Sequence, residues 1–487
     1  MEQVQTRFDT VRGGPNRAPK FPMPGLLSWY LVAGQALGVD PMVQQAHRTL
    51  HHMAFSGLND VLGGGFFRYS VDADWKIPHF EKMLYDNAQL LEVYAQAYRY
   101  RKEENYREIC LEIAQFFKKD LQSPEKGLYS ALDADSEGME GKYYLFTPEE
   151  VQPILQKNTG ATAAYLGIGT HGLWEHGLSH PQAKMSAENF EKTQNAPGFA
   201  QRWPTIKTQL LAARSRRVKP GTDTKQLMAW NAMAISGLAE AYRAFQDPAW
   251  KAQAVALGQA CTTLFFTPEG EPRHQFSGGR PMLAALADDH AFAIKAFLDL
   301  HEITGQWAWY NEAKQLTLRT LDQFSAAEGP LFTMAPQQET RARLPQSEVE
   351  DNVIPSSNAQ MAHNLYLLGL LEGNTTWTDR ARAMYLAMAG RIERYPEGYY
   401  HWLKLATTWA QPSAEWIITG PDAESIYLEA LNNLPPGTLI RWTDQPSELA
   451  CFKNRFTPGK NAIFVCNEGS CKMPASSLQE ALQHLNP

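Results

Sequence analysis

The feature that most constrains this fold is a repeat. Five times along the 487-residue chain, a helix rich in apolar and small residues opens on a polar or proline-containing motif, is followed by a second helix, and closes on an extended segment, Gly-aromatic in four cases and Pro272 to Phe276 in the third. The motifs begin at Pro24, His79, Trp230, Asp288 and Ser356. Adjacent ones lie roughly 55–70 residues apart, the period of repeated helical hairpins. The gap between His79 and Trp230 leaves room for one irregular unit, placed at 141–224.

The two helices of each pair differ in pattern. Those that follow the motifs, such as AWNAMAISGLAEAYRAF (229–245) and AFAIKAFLDL (291–300), are apolar or small on nearly every side. Their partners, such as NYREICLEIAQFFKKDL (105–121), carry one apolar face. A helix apolar all round is buried, and a one-faced helix lies outside. An inner ring within an outer ring follows, and the expected fold class is all-α, an (α/α)6 barrel with short β segments in its loops. After about residue 410 the pattern changes to extended 416–419, helical 425–434, extended 438–442, extended 462–466 and a last helix from 477. The expected division is therefore a barrel over 1–410 and a small α/β closing segment over 411–487.

Composition limits the partners. A net charge of -7 with pI near 6.0 argues against nucleic acid and against an anionic membrane surface. The first residues, MEQVQTRFDTVRGG, lack the apolar core of a signal peptide, and no run approaches the ~18 apolar residues of a membrane span. A cytoplasmic location is the expectation. Five cysteines do not form a disulfide framework. Cys466 and Cys471 have no second pair or finger-spaced histidine, so buried thiols or a hairpin pair are expected there rather than zinc.

The stretch GGGFFRYSVDADWKIPHFEKMLYDNAQLL (63–91) concentrates the most chemistry. Three glycines permit unusual backbone and close approach of a ligand. Pro78 reads as the start of a helix running from Phe80. That helix would carry His79, Glu81, Lys82, Tyr85, Asp86 and Asn87 in its first turns, beside Trp75 of the preceding loop. In a barrel all inner helices start at one end, so these residues are expected to converge with Trp230, Asn231, Asp288, Asp289, His290, Ser356 and Asn358. The loop acids Asp133, Asp135, Glu137 and Glu140 are expected at the same mouth. Taken singly, Asp, Ser and Asn at helix starts are N-caps, and a lone histidine is as readily a satisfied core residue. A cap explains one polar residue per helix, whereas these starts carry two to five. Clustered carboxylates, histidines and aromatic faces make a sugar-site composition. The acidic loop lacks EF-hand spacing, and neither metal nor cofactor is expected.

The central stretch resembles the signature of the spermatogenesis-associated, thioredoxin-domain-containing protein family. The likeness extends to Gly13-Gly14, Ala18-Pro19-Lys20-Phe21-Pro22, DADSEGMEGKYYLFTPEE, Trp230-Asn231, Leu286 to Phe292 and Ile354-Pro355-Ser356-Ser357-Asn358. It implies a six-hairpin glycosidase-like barrel related to N-acylglucosamine 2-epimerases and unsaturated glucuronyl hydrolases, and a role in carbohydrate metabolism. In that family a thioredoxin-like domain would precede Phe8. No Cys-x-x-Cys occurs in this sequence, so the expectation includes a separate thioredoxin-like protein as partner.

Two kinds of function stand as expectations. The first is an enzyme acting on a sugar or sugar derivative. Hydrolysis would use Asp86 with Asp133 or Asp135, and epimerisation or isomerisation would use His79 and His290. Trp75, Glu81, Lys82, Tyr85, Asn87, Trp230, Asn231, Asp288, Asp289, Ser356 and Asn358 would bind the substrate. The second is a non-catalytic ligand- or partner-binding barrel.

Overall fold

The structure, a computed structural model, describes residues 7–169, 174, 177–336, 347–410, 415–434, 438–467 and 470–483. The chain divides into two compact units. One comprises 1–24, 44–124 and 128–225, and the other comprises 25–43, 125–127 and 226–487. The expected boundary at 410/411 adjoins 411–414, which lie outside the described residues.

In the first unit, helix α1 (Leu84–Tyr100) packs against α2 (Glu104–Phe116), which ends in a π-turn over Phe117–Leu121. Helix α1 buries most of its length, including Asp86 and Asn87. Helix α2 buries one face through Tyr106, Ile109, Cys110, Ile113 and Ala114. A second core gathers Phe146, Val151, Leu155, Tyr165, Phe190, Phe199 and Leu210 from the irregular region.

The second unit contains three hairpins: α3 (Met228–Phe245) with α4 (Pro248–Leu264), α5 (Ala287–Thr304) with α6 (Trp307–Gln323), and α7 (Ser357–Glu372) with α8 (Thr375–Arg394). Helices α3, α5 and α7 pack side by side, each against its own partner. On α8 the buried positions are Trp377, Ala381, Met384, Met388 and Ile392, one stripe at helical spacing. On α3 nearly every residue is buried. The two patterns read from sequence thus correspond to an inner and an outer layer here.

The C-terminal strands Glu415–Thr419, Ile440–Thr443, Ala462–Asn467 and Ser470–Cys471 form one sheet. Glu415–Thr419 runs parallel to Ile440–Thr443, the connection passing through the helix Ala423–Asn433, and antiparallel to Ala462–Asn467. Cys466 and Cys471 face each other across the hairpin and are joined by a disulfide. Of the two expectations for this pair, the structure has the hairpin pair, with its sulfurs bonded rather than free. Among the described residues no helix is long and apolar enough to cross a membrane.

Candidate functional site

The stretch 63–91 folds differently at its centre from the helix expected at Phe80. Tyr69–Ser70 pairs antiparallel with Pro78–His79, and Lys82–Met83 pairs with Ala131–Leu132, so α1 begins only at Leu84. Burial alternates through this segment: Pro78, Phe80 and Lys82 face in, while His79, Glu81 and Met83 are partly exposed. That is the period of a strand. It places His79 and Glu81 on one face, which a helix would not do for residues two apart.

The three glycines serve the chain's own packing. A Cβ on Gly63 would lie 2.1 Å from Arg214 Nη2, one on Gly64 would lie 2.4 Å from the Glu112 carbonyl oxygen, and one on Gly65 would lie 2.7 Å from the Phe116 ring. Gly64 and Gly65 also have φ of +78° and +75°. Trp75 is buried, with Nε1 donating to the Arg12 carbonyl at 3.1 Å and the Lys20 ammonium over its ring.

On the exposed face, His79 sits between two carboxylates. Its Nδ1 lies 2.8 Å from Glu140 Oε1 and its Nε2 lies 3.1 Å from Glu81 Oε2. Arg68 Nη1 donates to that same Glu81 oxygen at 2.8 Å, and Arg68 Nε donates to the Tyr85 hydroxyl at 3.3 Å. Tyr69 stacks on the imidazole, with centroids 5.0 Å apart. Glu140 reaches this cluster because Asp135–Ser136 and Met139–Glu140 form a hairpin over Glu137 and Gly138. The His79 side chain keeps 25% of its exposure, so solvent and small molecules reach it. On α1, Asp86 is 1% exposed and its Oδ2 has no hydrogen-bond partner. Burial raises the Asp86 carboxyl well above its ordinary range, and nearby Arg68 offsets only part of that.

Lys82 faces away from this cluster. Its ammonium donates to Asp60 Oδ2 at 2.7 Å and to the Gly64 carbonyl at 2.8 Å. Asn87 is fully buried: Oδ1 accepts from Phe66 N–H at 2.6 Å, and Nδ2 donates to the carbonyls of Phe66 and Met83. Asp133 is exposed and accepts from the N–H of Ala134, and Asp135 is exposed on the hairpin.

The second unit has its own polar cluster. Asp289 is buried; its Oδ2 lies 2.7 Å from His274 Nδ1 and accepts from Leu286 N–H, while Oδ1 accepts from Ala229 N–H. Asp288 is partly exposed, yet its Oδ1 is out of solvent and without a hydrogen-bond partner. Burial, with help from Asp289 and Glu348, pushes its carboxyl up to about 8. Donor atoms of His274, Asp288 and Asp289 lie within 4.8 Å of one another, a set that could hold a cation. Trp230 is half-buried at the start of α3.

The remaining helix-start residues are engaged structurally. Asn231 Nδ2 donates to the Leu227 carbonyl. Ser356 caps α7 by accepting from Ala359 N–H. Asn358 repeats the role of Asn87, its Oδ1 accepting from Phe332 N–H at 2.8 Å and its Nδ2 donating to the Phe332 and Glu348 carbonyls. His290 is buried against Phe324 with Nδ1 2.8 Å from Thr320 Oγ1, and burial pushes it down to about 3.

Sequence reasoning missed Arg68, His274 and Glu348 as members of these clusters. Arg68 lies within the central stretch, directly after the buried pair Phe66-Phe67, and its charge there was the available signal. His274 and Glu348 carry no local signal.

No protein-family model matches the chain. Among curated proteins it is similar to spermatogenesis-associated protein 20 of Homo sapiens, 29% identical over 547 aligned positions that cover 100% of this chain and 68% of that protein. The protein of the same name from Rattus norvegicus is 28% identical, over 97% of this chain and 66% of the relative. Among solved structures, a family 76 glycoside hydrolase from a bovine Bacteroides thetaiotaomicron strain aligns with a TM-score of 0.43 and 12% identity, over 72% of this chain and 56% of that one. A D-mannose isomerase aligns with a TM-score of 0.35 and 13% identity, over 72% and 86%. In sequence, then, this chain is similar along its whole length to spermatogenesis-associated protein 20, and it spans about two thirds of that protein.

Proposed function

We propose that this chain is a carbohydrate-active enzyme whose hairpins, up to about residue 410, close into an (α/α)6 barrel capped by the 411–487 segment. Its reaction is proton transfer on a ring-opened sugar or sugar derivative, by isomerisation. The observation that carries this reading is His79: a solvent-reachable imidazole with a carboxylate at each ring nitrogen.

With Nδ1–H donated to Glu140, His79 Nε2 is the base once Arg68 holds the Glu81 carboxylate, and it can take a proton from the carbon next to a carbonyl and return it on the same face to the neighbouring carbon, which is isomerisation. Glu81 and Glu140 orient the ring and stabilise the imidazolium formed in between. Arg68 is the donor suited to the oxyanion that develops on the substrate. Burial against Thr320 and Phe324 speaks against a part for His290 in proton exchange. The engagement of Asp133 in its own turn speaks against its pairing with Asp86 for hydrolysis.

The test is solvent-deuterium incorporation next to the carbonyl carbon, followed by NMR over a panel of aldoses, ketoses and N-acylated amino sugars. Exchange on at least one sugar, abolished in His79→Gln, is expected. No exchange on any sugar, or exchange untouched by that substitution, would overturn the reading.

A further inference from the structure

Two concavities stand out in the second unit. The larger is open and is lined by Tyr242, Lys251 and Glu424, whose charged and polar ends already bind one another. The other, of about 230 Å³, lies between α5, α7 and the C-terminal strand Ile440–Thr443. Its walls are largely apolar, with Leu298, Leu367, Leu371, Leu439 and Phe452. An apolar cavity of roughly 150 Å³ suffices for benzene, so this one has room for a ring or a short acyl chain with a polar head.

The polar head is specified by Arg441. This residue lines the cavity and is 8% exposed, and its Nη2 is out of solvent with no hydrogen-bond partner. Its Nε lies 2.9 Å from Glu415 Oε1, an ion pair by distance whose alignment makes no hydrogen bond, so that edge of the guanidinium is only partly satisfied. A buried guanidinium nitrogen without an acceptor is costly, and a planar carboxylate is the group its geometry matches.

The other ionisable groups in the wall are accounted for. Glu302 is paired with Arg243 and accepts from the Tyr427 hydroxyl, so its charge does not face an incoming anion alone. His301, pushed down to about 4 by burial and by neighbouring Arg441, is neutral. Arg441 is therefore the cation of this pocket.

We propose that the cavity is a binding site for a small carboxylate with an apolar body, an aromatic or short-chain acyl acid, whose carboxylate is held by the Arg441 guanidinium. It is separate from the His79 cluster in residues and in chemistry.

Phenylacetate and its uncharged analogue phenylacetamide are the probes, applied to the full chain by calorimetry and thermal unfolding. Phenylacetate should bind at one site and raise the melting temperature, with phenylacetamide weaker by about tenfold or more, as expected when a charge-assisted contact is lost. Arg441→Gln should erase that preference, and Glu415→Gln, which removes the competing carboxylate, should tighten phenylacetate binding. Should Arg441→Gln fold poorly, Leu439→Trp serves: it fills the cavity and should abolish binding of both probes. Equal binding of the two probes, binding of neither at millimolar concentration, or phenylacetate binding that survives Leu439→Trp would each overturn the proposal.

Discussion

The ammonium of Lys82 lies 2.7 Å from Oδ2 of Asp60, with both side chains out of solvent, while Arg214 takes both oxygens of the same carboxylate at 2.8 and 3.0 Å. One buried anion thus holds two buried cations. Burial alone would raise the Asp60 carboxyl, but Arg214 and Lys82 outweigh it and hold it far below its usual range. The rings of Phe67, Phe116 and Tyr144 also face the Lys82 ammonium.

Asp60→Ala should therefore be the most damaging single change in this region. It strands two cations, and the expected cost is about 3–5 kcal/mol. Lys82→Met should cost clearly less, because Asp60 keeps Arg214 and an apolar chain suits the three rings. Urea unfolding of the two variants tests the order. Because the folded Asp60 value is depressed, its contribution is full above the unfolded value near 3.8 and is lost as pH falls below it.

Asn87 and Asn358 do the same work at the starts of α1 and α7, each tying the helix to a Gly-aromatic segment through both ends of its amide. Each substitution to Ala should cost about 2–4 kcal/mol, since it leaves several buried backbone groups without partners. Asn→Asp should be no milder, because it sets a second acceptor against the carbonyl of Phe66 or Phe332. Denaturant midpoints would decide. A change within experimental error would mean that these amides are available to a ligand.

The carboxyls of Asp86 and Asp288 should make stability fall with rising pH. Both have folded values raised above 3.8, so the native state holds protons that the unfolded chain has released. For Asp288 the loss runs from about 3.8 up to about 8. Asp86→Asn and Asp288→Asn keep the shape without the charge. Each should match or exceed the parent in melting temperature, by a margin that widens from pH 5 to pH 8. A clear drop at pH 8 for Asp86→Asn would show that its carboxylate is a structural partner.

Much of the helical architecture was legible in advance because periodicity is local. The contrast between α3, buried on nearly every side, and α8, with its single stripe, is written in which residues recur at three and four. The closing strands and helix were read within a few residues for the same reason. The start of α1 was not, because Phe80, Met83 and Leu84 satisfy a helical spacing while Phe80 and Lys82 equally satisfy an alternation. Pairing of His79 with Tyr69 and of Lys82 with Leu132 decided between them.

The sequence by itself determined the paired helices, their inner and outer faces, and the concentration of polar residues at the inner helix starts. Tertiary structure alone decided what those residues do. Lys82 turns to Asp60 and Arg214, Asn87 and Asn358 to backbone, His290 to Thr320, and His79 remains open between Glu81 and Glu140. The physical reason is that burying a polar side chain requires a partner to satisfy it. Arg214 and Asp60 stand 154 residues apart in the chain, and no local pattern carries a partner across that distance.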